Sequence, residues 1–164
     1  MTNTEWIDER DESPDQRMDR NFAELLQELR VLQTGTQILA GFLITVPFQS
    51  RFADLSEAHR MVFLIAFALA FLTTALLVGP VSIHHSLFRR HRKADSVQAA
   101  HVMARLGLLT LALAISAVIC LVVGVVLGAG AGWVAGALGL VVFGGTWFAL
   151  PLLLRRLNGS SAAV

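Results

Sequence analysis

Four long stretches of this chain contain no Asp, Glu, Lys or Arg: residues 31–48, 61–83, 106–128 and 133–154. A hydrocarbon core roughly 30 Å thick is crossed by about 20 predominantly apolar residues in an α-helix. The last three stretches reach that length on their own. The first is shorter, but its helical pattern begins upstream, near Asp19. The sequence therefore predicts an all-α integral membrane four-helix bundle made of two helical hairpins. The expected organisation is a disordered acidic tail over residues 1–17, the four-helix domain over 18–157 and a short C-terminal tail over 158–164.

Charge supports this division. Only 15% of residues are charged and 55% are hydrophobic, against about 25% charged in an ordinary soluble domain. Most of the length is span and short connection, which leaves little room for an enzyme domain. Nine of the twelve acidic residues lie between Glu5 and Glu28. Eleven of the thirteen Lys/Arg precede the first span, lie between the second and third, or follow the fourth; Arg51 and Arg60 are the other two. Lys/Arg bias sets orientation, so both termini and the middle loop are expected in the cytoplasm. The acidic start lacks the basic and apolar regions of a signal peptide. It is also too poor in apolar residues to offset the entropy of ordering. Twelve Arg against one Lys point to a GC-rich genome and so to a bacterial plasma membrane. Cys120 is the single cysteine, which excludes a disulfide framework and a cysteine-based metal site.

Along the chain, Asp19 or Asn21 can cap a helix in which Phe22, Leu25, Leu26, Leu29 and Leu32 recur at helical spacing. This is an amphipathic lead-in to the first span. Pro47 suits the end of that helix, and Ser56 is a candidate N-cap for the second span. Pro80 is expected to kink the second span near its cytoplasmic end. Asp95 or Ser96 can cap the third helix. Gly128-Ala129-Gly130-Ala131-Gly132 joins the last two spans as a tight hairpin, with glycine supplying positive φ. A single helix over 106–154 would be about 73 Å long, so the chain must reverse.

Four groups of residues are candidates for function. Gln33, Thr34, Gln37 and Thr45 form a polar intramembrane face on the first span, continued by Arg30 and Gly41. Amides in hydrocarbon need partners, so this face is expected to point into the bundle. It serves either interhelical bonds with Thr73, Thr74 or Thr110, or a path for solute. Gly124, Gly128, Gly132 and Gly136 continue a row of small residues from Ala112, Ser116 and Cys120. Such rows allow close helix approach, either between the last two spans or between copies of the chain. Glu24, Glu28 and Arg30 form a juxtamembrane charge group that can meet the basic middle loop. Arg89, Arg90, Arg92 and Lys93 in that loop suit anionic lipid headgroups, at about 1 kcal/mol per basic residue near the surface. His84, His85, His91 and His101 lie nearby, but Asp95 is the only local acid and the arginines repel a cation, so no metal is expected.

The runs Glu24-Leu25-Leu26-Gln27-Glu28-Leu29-Arg30-Val31-Leu32-Gln33-Thr34-Gly35-Thr36-Gln37-Ile38-Leu39 and Phe42-Leu43-Ile44-Thr45-Val46-Pro47-Phe48 resemble an uncharacterised domain-of-unknown-function family of small four-span bacterial membrane proteins. The resemblance extends through His84-His85 into the third span. Some members of that family carry an automatic sodium:proton antiporter label. The resemblance implies no catalytic residues and no cofactor. An antiporter normally uses an ionisable group within the membrane, and the four stretches contain no carboxylate. The expected function is that of a non-enzymatic packing or interaction protein. Its partners are the lipid bilayer and a second copy or another membrane protein; no nucleic-acid partner is expected. The alternative is a small transporter or channel using the Gln/Thr face.

Overall fold

The computed structural model describes residues 14–87 and 93–153. All their regular structure is helical: α1 Pro14–Thr45, α2 Glu57–Leu87, α3 Lys93–Leu127 and α4 Ala129–Gly144. A π-helical turn, Gly145–Ala149, continues α4 into residues 150–153. Segments of these helices, Ala23–Phe48, Glu57–Pro80, Gln98–Leu127 and Ala129–Leu153, are long and apolar enough to cross a bilayer.

Three boundaries differ from the sequence expectation: the start of α1, the last turn, and the start of α3, which begins at Lys93 so that positions 95 and 96, expected as its cap, lie inside it. The cap expected at Asp19 or Asn21 gives way to a start at Pro14. Proline suits the first helical turn because its fixed φ is already helical and its missing N–H would be unsatisfied there anyway. Residues 14–17 of the expected disordered tail are therefore helical, and the rest of that tail lies outside the described residues. The second difference is the last turn. Gly128 alone reverses the chain, with φ +98° and ψ 158°, a region open essentially to glycine alone. Gly130 and Gly132, expected in a loop, lie inside α4.

Between α1 and α2, two short 3-10 turns, Val46–Phe48 and Ser50–Asp54, fold the connection over the helix ends. Pro47 lies in the first of them, where no helical N–H is needed. Ser56 caps α2 as expected, its Oγ accepting from the His59 backbone N–H at 3.3 Å. Arg60 donates to the Ala53 carbonyl at 2.6 Å, and Phe52 meets Phe63 edge-on with ring centroids 5.2 Å apart. Pro80 is accommodated within α2 without ending it.

The helices pack in chain order: α1 on α2, α2 on α3, α3 on α4. The most extensive interface is α2–α3, so the two hairpins are joined by their inner helices and α3 is central. Gln33 meets Leu77 while Leu43 clusters with Phe63; Thr73 meets Thr110 while His59 meets Gly124; Gly132 meets Gly124 while Gly139 meets Ser116; each successive pair is therefore antiparallel. The described starts of α1 and α3 thus lie at one end with residue 153, and the Gly128 turn lies at the other. Close approach comes from small residues: Ala66, Ala70, Ala100 and Ala114 are fully buried. Larger groups fill the space around them, with Leu43, Phe63 and Leu121 toward the Gly128 end and Leu29 and Leu77 toward the other. The outer surface is apolar; Phe48, Val126 and Leu127 are each more than 70% exposed. Water would not tolerate so much contiguous apolar surface on a monomer.

Candidate functional site

Helical spacing divides the polar residues of α1 between two faces. Gln33 points inward, its Nε2 donating to the Leu77 carbonyl of α2 at 2.7 Å. Pro80 lies three residues beyond Leu77. The N–H that Pro80 lacks would have met the Leu76 carbonyl, four residues back; Gln33 reaches the next carbonyl along, where an amide buried in apolar surroundings finds its partner. Thr36, only 1% exposed, bonds back to the Leu32 carbonyl at 2.8 Å. Thr34, Gln37 and Thr45 are exposed. Thr34 and Thr45 satisfy themselves on the carbonyls of Arg30 and Phe42. Gln37 makes no hydrogen bond among the described residues. A Cβ added at Gly41, one turn further on, would meet nothing within 4 Å. The outward stripe therefore carries one unpaired amide and one bare glycine. Antiparallel register places Gln37 level with Thr73, well inside the apolar length of the helices.

Between α2 and α3, Thr73 donates to Thr110 Oγ1 at 2.8 Å and is itself fully buried. Thr73, Thr74, Thr110 and Thr146 also lie within bonding distance of carbonyls one turn back, as hydroxyls in helices commonly do.

The glycines divide into three environments. A Cβ at Gly132 would lie 2.6 Å from the Cys120 carbonyl oxygen and 2.7 Å from the Gly124 Cα; one at Gly136 would lie 2.8 Å from the Cys120 Cβ. These two form the α3–α4 seam within one chain. Gly124 faces both Gly132 and the imidazole of His59, which is held by Ser56 at 2.7 Å. Gly128 is exposed and serves the turn. The seam continues to Gly139, where a Cβ would lie 3.1 Å from Ser116 Oγ. The four-residue spacing breaks there, which is why the sequence pattern does not include Gly139. His59 was equally invisible, because nothing local in the sequence joins it to Gly124.

Alongside the seam runs a groove of about 290 Å³ bounded by α2, α3 and α4. Its lining side chains are apolar except for the hydroxyl of Ser116, the thiol of Cys120 and the indole N–H of Trp133. Ser116 is 3% exposed, and its Oγ has no hydrogen-bond partner among the described residues. A second groove, of about 270 Å³, lies between the 46–55 connection and the end of α3. Neither includes Gln33, Thr34, Gln37 or Thr45.

Of the charged candidates, Glu24 pairs with Arg20 at 4.0 Å on the same helix, and Arg30 donates to Gln27 Oε1 at 3.4 Å. Glu28 is exposed. Among the described residues, neither Glu24 nor Glu28 is within ion-pair distance of His101 or Arg105. Arg89, Arg90 and Arg92 lie outside the described residues, as does the side chain of Lys93. No three described His, Cys, Asp or Glu side chains converge as a metal site would require.

No curated protein matches the chain, and no solved structure does. A family profile does match, over residues 11–151, taking in α1 to α4. The chain belongs to that family, a family of unknown function designated DUF6328.

Proposed function

We propose that this is an integral protein of the bacterial plasma membrane, with both termini cytoplasmic, and that it is a non-enzymatic interaction protein which associates with a second copy of itself through α1. The observation that carries this reading is the outward stripe of Thr34, Gln37 and Gly41. Lipid tails cannot satisfy an amide. A second α1 can, because a two-fold pairing brings Gln37 to Gln37 and Gly41 allows the backbones to approach. α1 also has the room, since it packs mainly on α2 alone. The alternative, a solute path along this stripe, is less well supported: Gln33 is engaged with Leu77 and the remaining polar groups face away from the other helices.

Disulfide trapping in native membranes tests the proposal. In a Cys120→Ala background, Gln37→Cys and Gly41→Cys should give crosslinked dimers under mild oxidation. Leu138→Cys, on the exposed face of α4, should not. If the α4 position crosslinks and the α1 positions do not, the interface lies elsewhere. If only a heterologous protein is trapped at residue 37, the partner is not a second copy. The arginines of the middle connection are proposed to hold anionic headgroups at the cytoplasmic face, consistent with the Lys/Arg asymmetry.

A further inference from the structure

The hydroxyls of all seven described threonines lie within hydrogen-bonding distance of a carbonyl one turn back, and each has a partner. Ser116 does not. Its Oγ is enclosed, without a hydrogen-bond partner among the described residues, and an unpaired buried hydroxyl is costly relative to a paired one. Gly139 leaves the space in which that oxygen sits. Ser116 also lines the 290 Å³ groove, and rotation about its single χ1 bond moves the hydroxyl between staggered positions. The groove is open where Ile65, Trp133 and Leu140 are exposed, so access is lateral, from the surrounding bilayer.

Size and chemistry narrow the occupant. A helix 10 Å wide would occupy roughly 1,200 Å³ over 16 Å of length, so the groove is too small to seat one. It is about twice the volume of an apolar cavity, ~150 Å³, that binds benzene. A water molecule needs two to four polar partners that converge on it, and the lining side chains offer a hydroxyl, a thiol and the indole N–H of Trp133, itself 60% exposed at the mouth. A plain acyl chain fills the volume but leaves Ser116 unpaired.

We infer that the α2–α3–α4 groove is a lateral binding site for a lipophilic alcohol or ketone of about octanol size, its single oxygen paired with Ser116 Oγ and its apolar body lying along Leu69, Leu113 and Leu140. This goes beyond self-association through α1, which contributes no residue to the groove; either can fail without the other.

The test uses the full chain in lipid nanodiscs and two photoreactive probes, an octanol and an octane each bearing a diazirine. Labelled residues are read by mass spectrometry. The alcohol probe should label groove residues saturably and be displaced by unlabelled 2-octanone. Ser116→Ala should weaken the alcohol by about two- to tenfold while labelling by the alkane is unchanged. Ser116→Cys, which keeps the side chain's shape, should behave like the alanine variant. Ala137→Phe should block both probes. Unchanged helicity by circular dichroism is required of each variant. Equal wild-type affinity for alcohol and alkane would overturn the inference, as would an alcohol affinity indifferent to Ser116→Ala; the groove would then hold bilayer chains only. Absence of saturable labelling in the wild type would also overturn it.

Discussion

Gly132 has no room for a methyl group. The atoms that a Cβ would strike, at 2.6 and 2.7 Å, are a carbonyl oxygen and a Cα of α3, and backbone cannot step aside as a flexible side chain can. Gly132→Ala is therefore expected to cost about 1–3 kcal/mol, the usual range for overpacking. Gly35 is the matched control: it is helical and nothing lies within 4 Å of its added Cβ, so Gly35→Ala should be neutral or stabilising by up to about 1 kcal/mol. Thermal unfolding in detergent reads the difference, and equal tolerance would mean that the α3–α4 seam is loose in solution. The two glutamines offer a second contrast. Gln33→Leu removes the bond to Leu77 and should cost about 0.6–1.7 kcal/mol, whereas Gln37→Leu should leave the monomer's unfolding unchanged and reduce dimer crosslinking. At this scale the sequence is only half legible. The small-residue row is visible because four-residue spacing is a local property. The partners are not: that Gln33 turns to Leu77 and Gln37 outward depends on which side of α1 meets α2, and no local pattern encodes that. Ser116 is hidden for the same reason, since its missing bond is defined by the surroundings of a hydroxyl and not by its place in a row.

The elements were more legible, because apolar length is a property of contiguous residues. Each of the four charge-free stretches lies almost wholly within a candidate membrane span among the described residues, and Ser56 caps α2 by the expected bond. The ends are where expectation slipped. Alternating Gly and Ala from 128 to 132 reads as a loop on composition, yet glycine's helical penalty of about 1 kcal/mol is outweighed at Gly132 by the close approach to Gly124. The reversal contracts to the single residue whose φ requires it. Antiparallel register carries a topological prediction. With both termini proposed inside, reporters fused after Ala53 and Gly128 should read outside, and those after Lys93 and Val164 inside, since the connections alternate and the Lys/Arg excess sets their sign. A cytoplasmic signal from the Gly128 fusion is incompatible with α3 and α4 both crossing.

At the scale of the molecule, the described residues present an apolar exterior, an unpaired amide on one outer helix and a groove toward the other, and the sequence has no acid within the four charge-free stretches. Glu24 and Glu28 precede the 31–48 stretch, and His101 and Arg105 precede the 106–128 stretch; by helix register all four lie toward the same end. Proton-coupled cation exchange needs a group that binds and releases a proton part-way across, and threonine and glutamine do neither at useful pH. The protein alone is therefore expected not to exchange sodium for protons. Purified protein in liposomes holding an acid-inside pH gradient, with sodium added outside, should dissipate the gradient no faster than empty liposomes. The double variant Glu24→Gln/Glu28→Gln makes the outcome interpretable. Sodium-dependent dissipation that survives it would overturn the argument, because the two acids nearest the spans on α1 would be gone and exchange would remain. Dissipation lost in the double variant would place Glu24 and Glu28 in a transport path. The stripe on α1 would then have to be read as a conduit, with dimer contacts through Gln37 closing it from lipid.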